Sequence, residues 1–267
     1  MAISRSLLFR AAAVALSALM AGCSAVSFDE EPVRAAVRPG ATFEIRQPSK
    51  DAIEGIDVSY FQEAVDWQAV AGDDIRFAFI KATEGGDRLD ERFHENFAGA
   101  RQAGVLRGAY HFWYHCRPGI EQAAWFIRNV PRDDSALPPV LDIEWTPTSP
   151  TCRKRPPAAE LHAEMQAFLD AVEAYYGKRP VIYTTLDFYE DRMDGAFETY
   201  PLWVRSTAAK PHEKYGNRHW HFWQYTSTGQ VAGVNGKADR NVFYGSEAQF
   251  QTFLAESVVR PAMVAER

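Results

Sequence analysis

The chain has 267 residues, of which 46% are hydrophobic, 13% aromatic and 24% charged, an ordinary globular composition that suits one large domain or two small ones. Its formal net charge of -6 argues against a nucleic-acid partner met through a basic face, and against a secreted defence protein that finds anionic envelopes by charge alone. No poly-polar tract and no sustained heptad pattern interrupts the chain.

The first residues read as an address rather than as fold. Arg5 and Arg10 accompany an apolar run, Ala11 to Met20, which small residues and Cys23 follow. Positive charge, a short apolar stretch and then small residues make a secretory signal, too short for a membrane span. Leu19-Met20-Ala21-Gly22-Cys23 resembles a bacterial lipobox, although Met20 stands where Leu is more usual. Residues 1–22 are then a lipoprotein signal peptide and Cys23 the lipidation site, which places the protein in the cell envelope, lipid-anchored without a transmembrane helix. A plain signal peptide that contains a cysteine is the alternative. Residues 23–53 hold few large apolar side chains, and Pro32, Pro39, Gly40 and Pro48 break any periodicity. They read as a flexible tether with an r.m.s. span of ~30 Å.

From Gly55 the pattern changes to short apolar runs bounded by Gly, Pro or Asp, as buried strands tend to be. The expected strands are Gly55–Val58, Phe77–Lys81, Leu106–Phe112, Pro139–Glu144, Pro180–Tyr183, Leu202–Val204, Trp220–Tyr225 and Asp239–Phe243. Helices are expected between them, at about Asp90–Ala103, Ile120–Val130 and Pro157–Tyr176. The last carries Leu161, Met165, Phe168, Leu169, Val172 and Tyr176 on one face, with prolines at its start and Gly177 at its end, the usual asymmetry of helix termini. Alternating strands and helices imply parallel strands with crossover helices. About eight strands, with intervals too short for full helices near the end, predict an α/β fold: a flattened, incomplete (β/α)8 TIM-like barrel over residues 54–258, with 259–267 as a C-terminal tail. Active sites of such barrels lie at the C-terminal ends of the strands.

The strongest local signal is Pro138-Pro139-Val140-Leu141-Asp142-Ile143-Glu144-Trp145. On a strand, Asp142 and Glu144 point to one side, ~6.5–7 Å apart along the chain, while Leu141 and Ile143 face the helices. Two carboxylates at an inner strand end raise one another's pKa, keeping a proton on a group that must donate it; a structural ion pair is the plainer alternative. Gly55-Ile56-Asp57-Val58-Ser59 repeats the pattern with Asp57 inward, though alone Asp57 could equally be a turn or cap residue. Ala238-Asp239-Arg240-Asn241-Val242-Phe243 offers Asp239 at the final strand. A closed barrel brings these three strands together. Once Cys23 is acylated, Cys116 and Cys152 remain, which in an oxidising envelope suggests one disulfide, or else two unpaired thiols.

In order along the chain, Gly55-Ile56-Asp57-Val58-Ser59, Phe79-Ile80-Lys81-Ala82-Thr83-Glu84-Gly85, Gly108-Ala109-Tyr110-His111-Phe112, Val140 to Glu144, Trp223-Gln224-Tyr225 and Asp239-x-Asn241-x-Phe243 resemble the glycoside hydrolase family 25 lysozymes, in particular the lipoproteins of proteobacterial type. The resemblance covers about residues 54–257. It implies a peptidoglycan hydrolase that cleaves the β-1,4 bond after N-acetylmuramic acid, with glycan strands as its partner and no cofactor or metal. It implies Glu144 as general acid, Asp142 as the assisting carboxylate, and Asp57 and Asp239 as supports of the constellation. Tyr110, Tyr183, Trp203 and Trp223 become candidate sugar platforms, although each taken singly is more often core, and Gln224, Lys81 and Glu84 match positions near the cleft. The resemblance also places a Cys116–Cys152 disulfide at the rim of the cleft. Many members carry Gly after the Gln that matches Gln62, where this chain has Glu63, and Trp203-Val204-Arg205-Ser206 departs from the commoner ending with a nearby Tyr. Both departures bear on subsite preference.

Three other readings compete. His219 with His221, and His111 with His115, lie near strand ends as metal ligands do, but no third and fourth ligand appears at a telling spacing. A non-catalytic peptidoglycan-binding lipoprotein predicts a damaged acid position, yet Asp142 and Glu144 are both present. A chitinase-like barrel usually carries a longer run of acids than Asp142-x-Glu144. A monomer is expected.

Overall fold

The computed structural model describes residues 52–259; the signal peptide, Cys23, nearly all of the tether and all but the first residue of the C-terminal tail lie outside them. Nine strands are present among the described residues: β1 (Ile53–Val58), β2 (Phe77–Glu84), β3 (Arg88–Leu89), β4 (Leu106–Phe112), β5 (Val140–Ile143), β6 (Val181–Thr184), β7 (Leu202–Arg205), β8 (Phe222–Gly229) and β9 (Ala238–Phe243). The helices are α1 (Trp67–Gly72), α2 (Phe93–Gln102), α3 (Gly119–Asn129), α4 (Ala158–Tyr176), α5 (Leu186–Phe188), α6 (Pro211–Lys214) and α7 (Glu247–Glu256).

The sheet closes on itself. β1 pairs with both β2 and β9, and the pairings run round through β4, β5, β6, β7 and β8, with β3 a short antiparallel addition to β2. The fold is the expected α/β barrel of eight strands, incomplete in its helices: only α5 and one π-turn separate β6 from β7, α6 alone separates β7 from β8, and no helix separates β8 from β9. One feature differs from the sequence reading. β9 runs antiparallel to β1 and β8, because a short connection cannot carry the chain back for a parallel crossover.

Alternation along the strands builds two apolar layers. Leu141, Ile143, Ile182, Leu202 and Val204 face outward onto helices, where Leu161, Met165, Phe168, Leu169 and Val172 of α4 are buried. The barrel interior holds Ile53, Phe77, Phe79, Val140, Val181, Trp203, Phe222 and Phe243. At its lower end α7 acts as a plug, with the Phe250 and Phe253 rings 4.9 and 5.7 Å from that of Phe243. Burying each such ring contributes ~2–3 kcal/mol. The packing explains Gly55: a Cβ there would sit 2.3 Å from the Phe77 ring.

α4 ends as its sequence predicts, on Gly177 at φ 65°. α2 starts later than expected, at Phe93, because the Asp90 carboxylate instead accepts from the backbone N–H groups of Tyr60 and Arg92.

Candidate active site

The four acids singled out in the sequence gather at the open end of the barrel. A cavity of about 410 Å³ is lined by Asp57, Asp142, Glu144 and Asp239, with Lys81, Tyr110, Tyr183, Trp203, Arg205 and Gln224 around them. Asp57 lies at the C-terminal end of β1 and Asp142 towards that of β5, with Glu144 one residue past it. Asp239 lies near the start of its strand, yet reaches the same rim because β9 is antiparallel; its register partner is Asp57. The reversed last strand is therefore what completes the ring of acids.

The interior below fixes their surroundings. Asp57 Oδ2 accepts from Asn241 Nδ2 at 2.8 Å and Gln224 Nε2 at 2.9 Å. Each amide is oriented in turn: Trp203 Nε1 donates to Asn241 Oδ1 at 2.8 Å, and the Tyr183 hydroxyl donates to Gln224 Oε1 at 3.0 Å. Asp142 has no comparable support, and its buried Oδ1 lacks a hydrogen-bond partner among the described residues. Burial, then the charge of Asp239, pushes the Asp57 carboxyl well above the usual range, against the pull of its two amide donors. Burial and then the charge of Glu144 do the same to Asp142. Burial raises Asp239 against the pull of Arg205. Glu144 is pushed by burial from 4.5 to about 7, with Arg205 and Lys81 opposing and Asp187 adding to the rise. It therefore keeps a proton near neutral pH, which a general acid requires.

The backbone that carries Glu144 is held from behind. His115 Nε2 donates to its carbonyl at 2.9 Å. The His115 ring lies 4.9 Å from Trp145 and 5.8 Å from Phe188, and burial lowers its pKa, keeping it neutral. Trp145 is fixed by its Nε1 on Asp191 and by the guanidinium groups of Arg155 and Arg192 over its ring.

The aromatic residues divide by strand face. Tyr110 and Tyr183 line the cavity. Trp203 forms its floor, only 2% exposed and stacked on Phe79 at 4.5 Å, so its edge rather than its face meets the cavity. Trp223 is the correction: it faces outward into the helical layer, its Nε1 on the Ser206 carbonyl and its ring 5.9 Å from Tyr225. Its neighbour Gln224 points inward, and adjacent strand residues cannot share a face. Lys81 lines the cavity and holds Glu84 at 2.9 Å, while Glu84 itself lines an adjoining cavity with Tyr114, Cys116 and Thr151.

Cys116 and Cys152 are bonded, with Cα atoms 5.9 Å apart. The bond ties the loop after β4 to the loop after β5, at the rim of that second cavity. The histidines have other duties: His111 is wedged between Thr83 and Gln122 on the helical side, and His219 and His221 pack against Tyr244 and Phe253 at the other end of the barrel.

Two rim residues escaped the sequence reading. Phe61, 71% exposed, lines the cavity just beyond β1, and Arg205 shares the inner face with Trp203, a parity visible in the sequence. Glu63, noted as a departure, adopts φ 54° and ψ -134°, a conformation that favours the glycine other members carry.

A proton-bearing carboxyl beside further carboxylates, in an open cleft, can protonate a leaving oxygen and stabilise the positive charge left on an acetal carbon. The comparisons agree with this chemistry. Residues 56–234 match the profile of glycosyl hydrolases family 25. The uncharacterised protein YegX of Escherichia coli O157:H7 is 40% identical over 222 residues, covering 81% of this chain and 79% of that protein. Lysozyme M1 of Streptomyces globisporus is 38% identical over 212 residues, covering 74% and 69%. The crystal structure of the bacterial lysozyme from Streptomyces coelicolor superposes with a TM-score of 0.71 at 35% identity, covering 78% of this chain and all of that one. The chain belongs to glycosyl hydrolases family 25 and is a glycoside hydrolase.

Proposed function

We propose that this enzyme is an N-acetylmuramidase, hydrolysing the β-1,4 bond between N-acetylmuramic acid and N-acetylglucosamine in peptidoglycan. The observation that carries the reading is Glu144, a cleft carboxyl that holds its proton to about pH 7 beside Asp142. Glu144 is the general acid that protonates the glycosidic oxygen. Asp142 is the assisting carboxylate, stabilising developing positive charge or orienting the sugar's 2-acetamido group. Asp57 and Asp239 set the charge of the constellation. Tyr110 and Tyr183 contact sugar, Gln224 holds the Asp57 carboxyl, and Lys81 holds Glu84 beside the cleft. Lysozymes and muramidases among the relatives support this substrate.

A monomer suffices for this chemistry, since the acids of the site all come from one barrel. The protein acts in the cell envelope, anchored through an acylated Cys23, a reading that rests on Leu19 to Cys23 and the apolar run before them.

Digestion of purified cell wall by the wild type beside Glu144→Gln, with the new reducing ends identified, tests the proposal. Reducing N-acetylmuramic acid ends that vanish in the variant are expected. Wall binding without new ends from the wild type would instead make the protein a non-catalytic peptidoglycan-binding lipoprotein.

A further inference from the structure

Two cationic side chains line the cavity, Lys81 and Arg205. Lys81 is occupied, its Nζ 2.9 Å from Glu84 and 4.6 Å from the centre of the Phe112 ring. Arg205 is not. It ends β7 on the inner face and is half-buried. Its backbone carbonyl accepts from the Tyr215 hydroxyl at 2.8 Å, but among the described residues its guanidinium makes no hydrogen bond or ion pair. It acts on Glu144 and Asp239 through space only.

A guanidinium is a planar fork of donors matched to a carboxylate. One that lines the same cavity as the acids, easing their charge without pairing with them, keeps its donors unused. Direct pairing with Glu144 would strip the acid of the proton it keeps, and the geometry avoids it. The fork is left for an anionic group on the substrate.

On the muramidase reading, the nearest such group is the 3-O-lactyl substituent of N-acetylmuramic acid, whose carboxyl is a few bonds from the ring. In intact wall that carboxyl is an amide, joined to a stem peptide, and carries no charge. The carboxylates of the stem itself lie further out than a side chain lining the sugar cavity reaches. We propose that Arg205 is a specificity-determining residue that receives the free lactyl carboxylate, so that the enzyme prefers glycan already stripped of its peptides. The proposal rests on the muramidase reading. It sets the enzyme after one class of reaction, an amide hydrolysis in which water cleaves the lactyl–peptide bond to release the carboxylate and the peptide's amine.

The test uses purified full-length protein and three substrates: peptide-stripped glycan, the same glycan with its lactyl carboxylates converted to methylamides, and peptide-bearing glycan. kcat/KM on the free carboxylate should exceed that on the methylamide by about tenfold or more, the range of a charge-assisted hydrogen bond. Arg205→Gln should bring this ratio close to one and Arg205→Lys should keep part of it, and because a ratio is read, any general loss of activity cancels. Equal rates of the wild type on free and methylamidated glycan, or an unchanged ratio in Arg205→Gln, overturn the proposal. So does a preference of the wild type for peptide-bearing glycan over both, which would point to a stem carboxylate. Cleavage of none of the three overturns the muramidase reading, and this proposal with it.

Discussion

Replacing Glu144 by Gln should abolish activity and yet stabilise the protein, increasingly so as the pH rises. A carboxyl whose pKa is higher in the folded than in the unfolded chain favours folding while protonated. Its contribution is fully present below the unfolded value and is lost as pH rises through the folded one. For Glu144 the window runs from 4.5 to about 7. At ~1.4 kcal/mol per pKa unit, ionisation in that window removes on the order of 3 kcal/mol from the wild type and nothing from the variant. For a domain of this size ~1 kcal/mol corresponds to ~2–4 °C in Tm, so the advantage of Glu144→Gln should grow by about 6–12 °C between pH 4.5 and pH 8. Asp142 works in the same direction, because the variant removes the Glu144 charge that helps to raise it. Calorimetry of both proteins across that pH range reads the difference. Only its slope matters, so any fixed gain or loss from the amide cancels. A difference that stays flat would refute the claim that burial holds a proton on Glu144.

The same titration predicts that kcat/KM on cell wall declines as pH rises through an apparent pKa near 7, since the acid must enter the reaction protonated; a pH–rate profile of the wild type checks it. Glu63→Gly should raise the Tm by relieving a backbone at φ 54°, a gain of about 1 kcal/mol after the added freedom of the unfolded glycine, measured by thermal melting against Glu63→Ala, which keeps the strain. Reduction of the Cys116–Cys152 bond, or Cys116→Ser with Cys152→Ser, should lower stability by ~4 kcal/mol on the chain-entropy account of its loop, with a sequence separation of 36. Denaturant titration with and without reductant reads that loss.

Strand parity explains most of what the sequence revealed and most of what it hid. Asp57, Asp142 and Glu144 were legible because each falls on an inward position at the end of a strand whose alternate residues, Ile56 and Val58 or Leu141 and Ile143, belong to the outer layer. Parity also forbids naming Trp223 and Gln224 together as cleft residues, and the structure decides for Gln224. Lys81 and Glu84, three apart, should face opposite ways. A register shift between Lys81 and Thr83 brings them back together, and bulges of this kind leave no residue signature here. The direction of β9 was likewise hidden, because alternation of strands and helices says nothing once the helices stop.

That reversal connects the fold to the chemistry. A parallel last strand would put its first residue at the closed end, beside α7. The antiparallel one lifts Asp239 to the open end, into register with Asp57, and sets Asn241 two residues below, where its amide supports the Asp57 carboxylate. The Asp57 carboxyl thus has two donors built for it, Asn241 and Gln224, whereas Asp142 shares the cavity with one buried oxygen lacking a partner. A buried acceptor without a donor is costly, and the cost is removed when a ligand brings an N–H. On the muramidase reading the sugar's acetamido N–H is such a donor. Binding would then favour the charged form of Asp142 at the moment substrate arrives. A charged Asp142 in turn strengthens the hold of its neighbour Glu144 on a proton. The acid would be best protonated when the glycosidic oxygen is in place to receive that proton, an arrangement that follows from giving one carboxylate its donors in advance and withholding them from the other.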